Sequence, residues 1–412
     1  MSPRLPAWRH GCRTPTDVVI VADAPYAQLA QDAGCAFHPV PADLREVIST
    51  TWNSPRRLTP GAFRANLRAQ AGYFGLAATA ALAAAPGAEV VLVNAVAPFG
   101  HDIAESLGVP SIGAFLQPME PSAAYPPVLV GTRGLGGPGN RLAGTLLRFA
   151  PALYDRACAQ VRRELGLQKE SRRAAERRRR RAGQPVHHGI SPVVLPRPRD
   201  WRPGLHLDGF WWPTRTPGWT PPSDLADFLA AGSAPVVIGF GSTGSGERVS
   251  EIVVAAARQA GVRVVIQDRS TSERDGTGER GSTAGYSGIA ERSDGDLLRI
   301  GDVPHEWLFP QAAAVVHHAG AGTTAAGLRA GASTVAVPVH TDQTFWAARV
   351  AALGAGPPPV PFSRLTAGRL ADAIMAAVTS ANYRCKAREI AARLAAEDGA
   401  AGLLAELERL RH

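Results

Sequence analysis

The chain has 412 residues, of which 45% are hydrophobic, and this length predicts about two globular domains. Its formal net charge is +9, and much of that charge lies in the run Arg172–Arg181. No aromatic residues interleave with these arginines, so nucleic acid is not an expected partner. The four cysteines lack metal-ligand spacing, and residues 1–16 lack the apolar segment of a secretory signal. These features predict a cytoplasmic protein with reduced thiols.

Two segments raise the question of membrane contact. The run Arg172–Arg181 is typical of a solvated helix face or loop, but it would also suit contact with an acidic partner or peripheral contact with the inner membrane face. The alanine-rich segment Phe74–Val96 has the length of a membrane span, yet Pro86, Gly87 and Glu89 interrupt it. We therefore predict a helix followed by a strand there.

The first half of the chain alternates apolar runs with helical patterns. The predicted strands are Asp17–Ala22, Val90–Asn94, Pro110–Phe115 and Pro192–Leu195. The predicted helices are Pro25–Ala33, Phe63–Ala84, Ile103–Leu107 and Leu142–Leu165. Buried strands that alternate with helices indicate a parallel sheet covered on both faces.

The second half repeats the same alternation. The predicted strands are Pro235–Phe240, Val262–Gln267, Leu297–Ile300, Ala312–His317 and Thr334–Val339. The predicted helices are Arg248–Gln259, Thr323–Ala330, Gln343–Leu353, Leu365–Val378 and Tyr383–Leu410. The fold class is therefore α/β, with two doubly wound Rossmann-like domains facing each other across a cleft.

Changes in composition set the predicted boundaries. Residues 1–16 are an atypical N-terminal segment, and the first domain covers 17–214 with a basic loop at 172–190. The second domain covers 215–395 with an inserted hydrophilic loop at 268–283, and residues 396–412 form a C-terminal helix.

The strongest chemical signal is a buried strand that ends at His317 and runs into a loop of small residues. This loop opens a helix, whose first N–H groups and partial positive charge can bind phosphate. Gly320 and Gly322 let phosphate oxygens approach, Thr323 and Thr324 can cap the helix, and His318 can donate a hydrogen bond. The alternative is that the glycines only make the turn.

The next strand is followed by Asp342 and Gln343. A carboxylate accepts hydrogen bonds, and an amide both donates and accepts them. A phosphate site and a hydroxyl-binding pair would thus lie side by side, as a sugar phosphate requires. Asp342 could also serve as a helix N-cap.

A dinucleotide site is a second interpretation of the same loop. Gly320 and Gly322 match the first two glycines of G-x-G-x-x-G, but Ala325 stands in the third glycine position. The segment also lies late in the chain, whereas that fingerprint follows the first strand of its domain.

Several segments together resemble bacterial glycosyltransferases of the natural-product and sterol type, which have the GT-B fold. His317–Gln343 is similar to the donor-binding box of that family, and Gly301–Pro310 to its segment under the nucleotide base. Phe240–Ser242 resembles the loop after the first strand of the donor domain. Ala284–Ile289 looks like the family's A-G-W-x-G-L element, with Tyr286 in place of tryptophan.

The resemblance implies donor-binding roles for particular residues. The Val303 backbone would bond the base, and Gly241 and Ser242 would lie near the diphosphate or ribose. His318 and the loop and helix start would hold the diphosphate, through Gly320, Ala321, Gly322 and Thr323. Asp342 and Gln343 would contact sugar hydroxyls.

The resemblance also implies an activity. The N-terminal domain would bind an acceptor and the C-terminal domain a UDP- or dTDP-sugar. The sugar would pass, with inversion, to a hydroxyl of a hydrophobic acceptor such as a secondary metabolite, sterol or lipid. No cofactor and no metal are expected.

The start of the chain departs from this family pattern. The family begins with a strand and a glycine-rich loop, G-x-R-G-D-x-x-P, that supplies or positions the general base, and residues 1–16 contain neither. Because that strand is normally central, neighbouring strand edges should be exposed. His10, Asp23 and His101 are conceivable substitute bases, and none is assigned as catalytic. The alternative function is a catalytically impaired relative that binds nucleotide sugar or acts as an auxiliary partner.

Overall fold

The structure is a computed structural model that describes residues 17–44, 47, 60–129, 134–212, 219–240, 247–267 and 290–411. These residues form two units, one of 219–397 and one of 17–212 together with 398–411. The C-terminal segment thus belongs to the N-terminal unit. Across the described ranges, no helix is both long and apolar enough to cross a bilayer.

Before residue 212, the described residues of the N-terminal unit form short parallel strands and the helices named below. The strands are β1 Val19–Asp23, β2 Ala36–Val40, β3 Val91–Val93, β4 Ser111–Phe115, β5 Val186–His188 and β6 Leu205–Leu207. The helices are α1 Ala27–Asp32, α2 Pro60–Ala84, α3 Phe99–Leu107, α4 Gly136–Leu147, α5 Asp155–Glu164 and α6 Arg172–Arg181.

The described strands of this unit lie in two separate parallel sheets. One sheet pairs β1 with β2, and the other has the order β3-β4-β5-β6. Strands β1 and β3 are therefore sheet edges within the described residues. Val19 on β1 is 50% exposed and Leu92 on β3 is 37% exposed, although both are large apolar residues. The expectation of exposed edges at these strands is confirmed.

The predicted single helix over Leu142–Leu165 is wrong, because the chain forms α4 and α5 with a break between them. Pro151 lies in this break, and proline cannot donate a helical backbone hydrogen bond. The guanidinium of Arg172 donates to the carbonyls of Arg148 and Ala150 and so satisfies part of the end of α4.

The segment predicted as a basic loop, 172–190, instead contains helix α6 and strand β5. Ser171 caps the helix by accepting a hydrogen bond from the Ala174 N–H. Pro192–Leu195 forms a turn and no strand, since the Ser191 hydroxyl and carbonyl accept from the Val193 and Val194 N–H groups.

The C-terminal unit contains the larger sheet. Its strands are β7 Val236–Gly239, β8 Val264–Gln267, β9 Ala290–Asp294, β10 Leu297–Ile300, β11 Ala314–His317 and β12 Ser333–Ala336. Its helices are α7 Ser223–Ala230, α8 Glu247–Ala260, α9 His305–Leu308, α10 Ala321–Arg329, α11 Gln343–Ala352, α12 Ala367–Thr379 and α13 Ala381–Leu394.

The predicted helix Tyr383–Leu410 is two helices, α13 and α14 (Ala401–Arg411), of which only α14 packs in the N-terminal unit. Gly399 lies between them, against the backbone of Phe210. A Cβ at residue 399 would stand 2.2 Å from the Phe210 carbonyl oxygen, so only glycine fits.

Alternating residues of β7 face two cores. Val236 and Ile238 pack with α8 and α12, whereas Val237 packs with α7 on the opposite face. A strand buried on both faces reads as an uninterrupted apolar run, and this explains the sequence pattern.

The sheet order is β12-β11-β7-β8-β10-β9, and only β9 is antiparallel. The chain builds outward from β7 through β8 to β10 and then continues on the other side with β11 and β12. This reversal is a topological switch point between β7 and β11, where ligands of open α/β sheets bind at the carboxyl ends of the strands.

Candidate functional site

Two strained residues mark the loops after neighbouring strands β11 and β12. Ala319 has φ 60° and Thr341 has φ 52°, and no other non-glycine residue in the described ranges has a positive φ. Left-handed backbone at such residues costs free energy and is concentrated at ligand sites. The carboxyl ends of β11 and β12 are therefore the candidate site.

Helix α10 starts in the first of these loops. Gly320 occupies its N-cap position, and no side chain caps the helix. The predicted capping by Thr323 and Thr324 is wrong, because both residues lie inside the helix and not at the N-cap. The first turn consequently presents N–H groups that no side chain of the described ranges engages, which is the arrangement that binds anions.

His318 stands beside this helix start. Its Nδ1 atom is buried and has no hydrogen-bond partner in the described part of the chain. Burial, with a contribution from His340, lowers the pKa of His318 to about 4, so the imidazole is neutral near pH 7 and keeps one N–H. A buried polar atom of this kind can still form a hydrogen bond with a ligand.

His317 holds the loop through a hydrogen bond to the loop backbone. It is 1% exposed, and its Nδ1 atom accepts a 2.9 Å hydrogen bond from the Ala319 N–H. This bond spans two residues and holds Ala319 in its left-handed conformation. Burial keeps the pKa of His317 well below its usual value, so the ring stays a neutral acceptor.

Asp342 occupies the N-cap position of α11, but its carboxylate makes no capping bond. Instead Oδ2 accepts from Trp346 Nε1 at 3.2 Å, and Oδ1 accepts from Thr341 Oγ1 at 3.1 Å. Trp346 is fully buried, so the carboxylate is held in one orientation. Asp342 is thus the N-cap residue, as the alternative interpretation expected, but its side chain does not cap the helix.

Gln343 is fixed by the backbone of the same loop. Its Oε1 atom accepts from the N–H groups of Val339 and His340 at 2.8 and 3.1 Å. The amide oxygen is thus engaged, and the amide nitrogen remains as the donor that Gln343 can offer. Asp342 and Gln343 are both buried, at 5% and 4% exposure.

Val303 follows β10 at the same edge of the sheet. It is buried, and its carbonyl accepts from Gln267 Nε2 at 3.5 Å. The residues after β10, β11 and β12 therefore lie along the same edge of the sheet, with β7 and β8 between β10 and β11. Gly241, Ser242, the predicted insertion 268–283 and Tyr286 lie outside the described residues.

Asp23 is a structural residue. The Tyr73 hydroxyl donates to its Oδ1 at 2.5 Å, and the Leu44 N–H donates to its Oδ2 at 3.1 Å. Burial and this hydrogen bond raise the pKa of Tyr73, which therefore remains a donor. Asp23 thus ties β1 to α2, and neither of its oxygens is presented as a general base.

His101 is likewise engaged inside the N-terminal unit, and His10 lies outside the described residues. Gln184 Nε2 donates to His101 Nδ1 at 3.0 Å, and Ser111 Oγ lies 3.0 Å from the same atom. Burial, followed by the charge of Arg179, lowers the pKa of His101 to about 3. At that pKa the ring is a weak base buried in a hydrogen-bonded cluster.

A buried His–Asp pair was not anticipated from the sequence. His187 Nδ1 lies 2.8 Å from Asp208 Oδ2, and both side chains are almost fully buried. Gly402 of α14 covers this pair, since a Cβ there would stand 2.5 Å from Asp208 Oδ1. The pair joins β5, β6 and the C-terminal helix, and 21 residues separate its members, so no local motif reveals it.

Comparisons with known proteins define the fold first. The chain superposes on a crystal structure of the glycosyltransferase VinC in complex with dTDP, with TM-score 0.60 and 19% identity over 95% of this chain and 92% of that one. The fold is therefore GT-B, with two Rossmann-like domains. Residues 292–410 match the model of the family described as erythromycin biosynthesis protein CIII-like, C-terminal domain.

Curated relatives extend the similarity. The chain is 40% identical over 225 residues to O-mycaminosyltylonolide 6-deoxyallosyltransferase of Streptomyces fradiae, over 53% of this chain and 49% of the relative. It is 31% identical over 403 residues to sterol 3-beta-glucosyltransferase of Cryptococcus neoformans, over 92% of this chain and 24% of the relative. The chain thus spans about half of the first relative's length and about a quarter of the second's.

The contact between Gly320 and His318 gives a test of the site. A Cβ at residue 320 would stand 2.6 Å from His318 Nε2, so Gly320→Ala should displace the imidazole. We expect dTDP to bind about tenfold more weakly, as measured by calorimetric titration. Gly368→Ala in α12 is the control, since its Cβ would meet only Gln259 Oε1 at 4.0 Å. Unchanged dTDP affinity in Gly320→Ala would contradict the assigned position of His318.

Proposed function

We propose that this chain is a glycosyltransferase that moves a sugar from a nucleoside-diphosphate sugar to a hydroxyl of a hydrophobic acceptor. The observation that carries the proposal is His318, which lies beside the uncapped start of α10 and whose buried Nδ1 has no partner among the described residues. The names of the macrolide and sterol glycosyltransferase relatives support both the reaction and an apolar acceptor. The nucleotide of the donor is UDP or dTDP, and the dTDP bound to VinC supports the second.

The reaction needs stabilisation of the leaving diphosphate. In the proposed mechanism the acceptor oxygen attacks the anomeric carbon, the bond to the diphosphate breaks on the opposite face, and the configuration inverts. Negative charge develops on the oxygens of the leaving diphosphate. The N–H groups of Gly322 and Thr323 and the neutral His318 would stabilise this charge by donating hydrogen bonds. This arrangement requires no metal. The group that takes the acceptor proton is not assigned, because Asp23 and His101 are engaged elsewhere.

The remaining donor contacts follow from the same sheet edge. We propose that Asp342 accepts from a sugar hydroxyl and that Gln343 donates through its amide nitrogen. The Val303 backbone would bond the nucleotide base, and Gly241 and Ser242 would lie near the diphosphate or ribose. The hydrogen bonds that fix Asp342 and Gln343 support these roles, since rigid polar groups discriminate sugars best.

The proposal is tested by titrating the full chain with dTDP, UDP and their glucose conjugates and by following hydrolysis of each conjugate. We expect binding of at least one nucleotide, slow hydrolysis of its sugar, and rates that EDTA leaves unchanged. Binding without any turnover, also in the presence of sterol and macrolide acceptors, would favour the catalytically impaired alternative. Absence of nucleotide binding would refute the donor site.

Removing the hydrogen bond between Trp346 and Asp342 should affect binding of the sugar but not binding of the diphosphate. Trp346→Phe removes the indole N–H and lets the Asp342 carboxylate turn. We expect affinity for the sugar nucleotide to fall about fivefold, from a loss of about 1 kcal/mol, while affinity for the free nucleoside diphosphate stays the same. Phe345→Leu, a similar apolar change next to it, is the control. Equal losses for both ligands would place Asp342 away from the sugar.

A further inference from the structure

Helix α4 carries a row of exposed apolar side chains. Leu135 precedes the helix, Leu142 and Leu146 lie within it, and Phe149 follows it, at 64%, 61%, 59% and 53% exposure. Their spacing of seven, four and three residues places them on one face of a helix. Contiguous apolar patches of this kind mark interaction surfaces.

The opposite face of α4 is the one that packs against the unit. Asn140 is buried, accepts from the Leu135 N–H, and donates to the Ala123 carbonyl. Gly144 lies against Pro121, where a Cβ would stand 3.0 Å from the proline ring. The exposed leucines are therefore not the core side of this helix.

Six of the seven arginines of α6 divide into two groups. Arginines with carboxylate partners inside the unit are Arg172, Arg178 and Arg180. Arg173, Arg177 and Arg181 follow one another at intervals of four residues and are exposed. No ion pair joins these three to a carboxylate in the described ranges. They form a second, basic row that points to solvent.

The two rows meet at Phe149. The Arg173 guanidinium lies 5.0 Å from the centre of the Phe149 ring and donates to the Phe149 carbonyl. Arg172 donates to the carbonyls of Arg148 and Ala150 on either side. The apolar row of α4 and the basic row of α6 are thus parts of one continuous surface.

We propose that this surface docks the protein on an anionic lipid bilayer. The docking surface comprises Leu135, Leu142, Leu146, Phe149, Arg173, Arg177 and Arg181. Leucine and phenylalanine side chains enter the boundary between headgroups and acyl chains, while the arginines contact lipid phosphates. Two weak signals of different kinds, apolar insertion and charge, together give stable peripheral attachment.

Charge complementarity favours a bilayer over a protein partner. The three arginines all have the same sign, and a lipid surface offers a continuous sheet of phosphates to them. Docking needs neither the donor site nor turnover, so its failure would leave the proposed function intact. Where that function holds, docking would bring the chain to the phase in which a lipophilic acceptor dissolves.

The test is flotation of the full chain with vesicles. Vesicles of phosphatidylcholine with phosphatidylglycerol should carry the protein, and vesicles of phosphatidylcholine alone should carry much less. Joint replacement Leu142→Gln and Leu146→Gln should weaken binding at least about tenfold. Joint replacement Arg177→Gln and Arg181→Gln should weaken it about tenfold and reduce its dependence on salt.

Two control variants keep this test specific. Leu76→Gln removes an exposed leucine on α2, and Arg163→Gln removes an exposed arginine on α5, both outside the docking surface. Both should float like the parent chain, and all variants should melt like it. Equal flotation of the parent and the two double variants would overturn the proposal. The proposal would also be overturned if the parent chain did not bind vesicles and instead formed a dimer. Light scattering would then show that Leu142→Gln with Leu146→Gln dissociates this dimer.

Discussion

Replacing His318 with alanine is expected to weaken dTDP binding by about 10- to 100-fold. The imidazole Nδ1 is buried and has no partner among the described residues, and a diphosphate at the start of α10 would receive its hydrogen bond. Bonds between a neutral donor and a charged acceptor contribute about 1.5–3 kcal/mol, which sets this range. The measurement is calorimetric titration of parent and variant at pH 7, where His318 is neutral.

A second variant separates hydrogen bonding from space filling. His318→Gln keeps an N–H donor and should recover part of the lost affinity, because an amide can also donate to phosphate. His206→Ala removes a histidine of the other unit and should leave dTDP binding unchanged. If His318→Ala binds dTDP as tightly as the parent chain does, the diphosphate lies elsewhere and the proposed mechanism is wrong.

Gly356→Ala is expected to lower the free energy of unfolding of the C-terminal unit by about 3 kcal/mol. A Cβ at residue 356 would stand 1.8 Å from the Thr334 carbonyl oxygen. The adjacent Ala355 carbonyl accepts a 2.9 Å bond from the Thr334 N–H, so the two chain segments cannot separate without breaking it. Urea unfolding followed by fluorescence should show a clear drop in the midpoint.

Gly72→Ala is the matched control for this substitution. Gly72 lies inside α2, a Cβ there would meet nothing within 4 Å, and its backbone needs no positive φ. Alanine at this position should stabilise the N-terminal unit by about 0.5–1 kcal/mol, because it loses less backbone entropy in a helix. An unfolding midpoint for Gly356→Ala equal to that of the parent would show that the segment relaxes away from β12.

The sequence predicts the C-terminal sheet well and the N-terminal unit less well. Strands β7, β8, β10, β11 and β12 are apolar runs, and such runs identify strands buried on both faces. In contrast β2, β5 and β6 contain histidine or proline, and β5 and β6 have only three residues, so they carry no clear period. Their pairing is visible only once the sheets have formed.

The arginine run shows how a local pattern can leave its role open. Its net charge suggested a solvated face or a membrane contact, and both interpretations rest on composition. Arg172, Arg178 and Arg180 of α6 form ion pairs with carboxylates of the same unit. These carboxylates belong to Asp155, Glu105, Glu170 and Glu120, which lie outside α6. The sequence contains every partner, but the fold decides which arginines remain exposed.

In the loops after β11 and β12, too, some features follow from the sequence and others only from the tertiary structure. The sequence by itself determined that a buried strand enters a small-residue loop and a helix after His317, since these are short-range properties of the chain. Only the tertiary structure decided the state of each polar group, because its partners come from packing and backbone geometry. Gln343 uses its oxygen to accept from two backbone N–H groups, Trp346 orients Asp342, and the buried Nδ1 of His318 has no partner among the described residues.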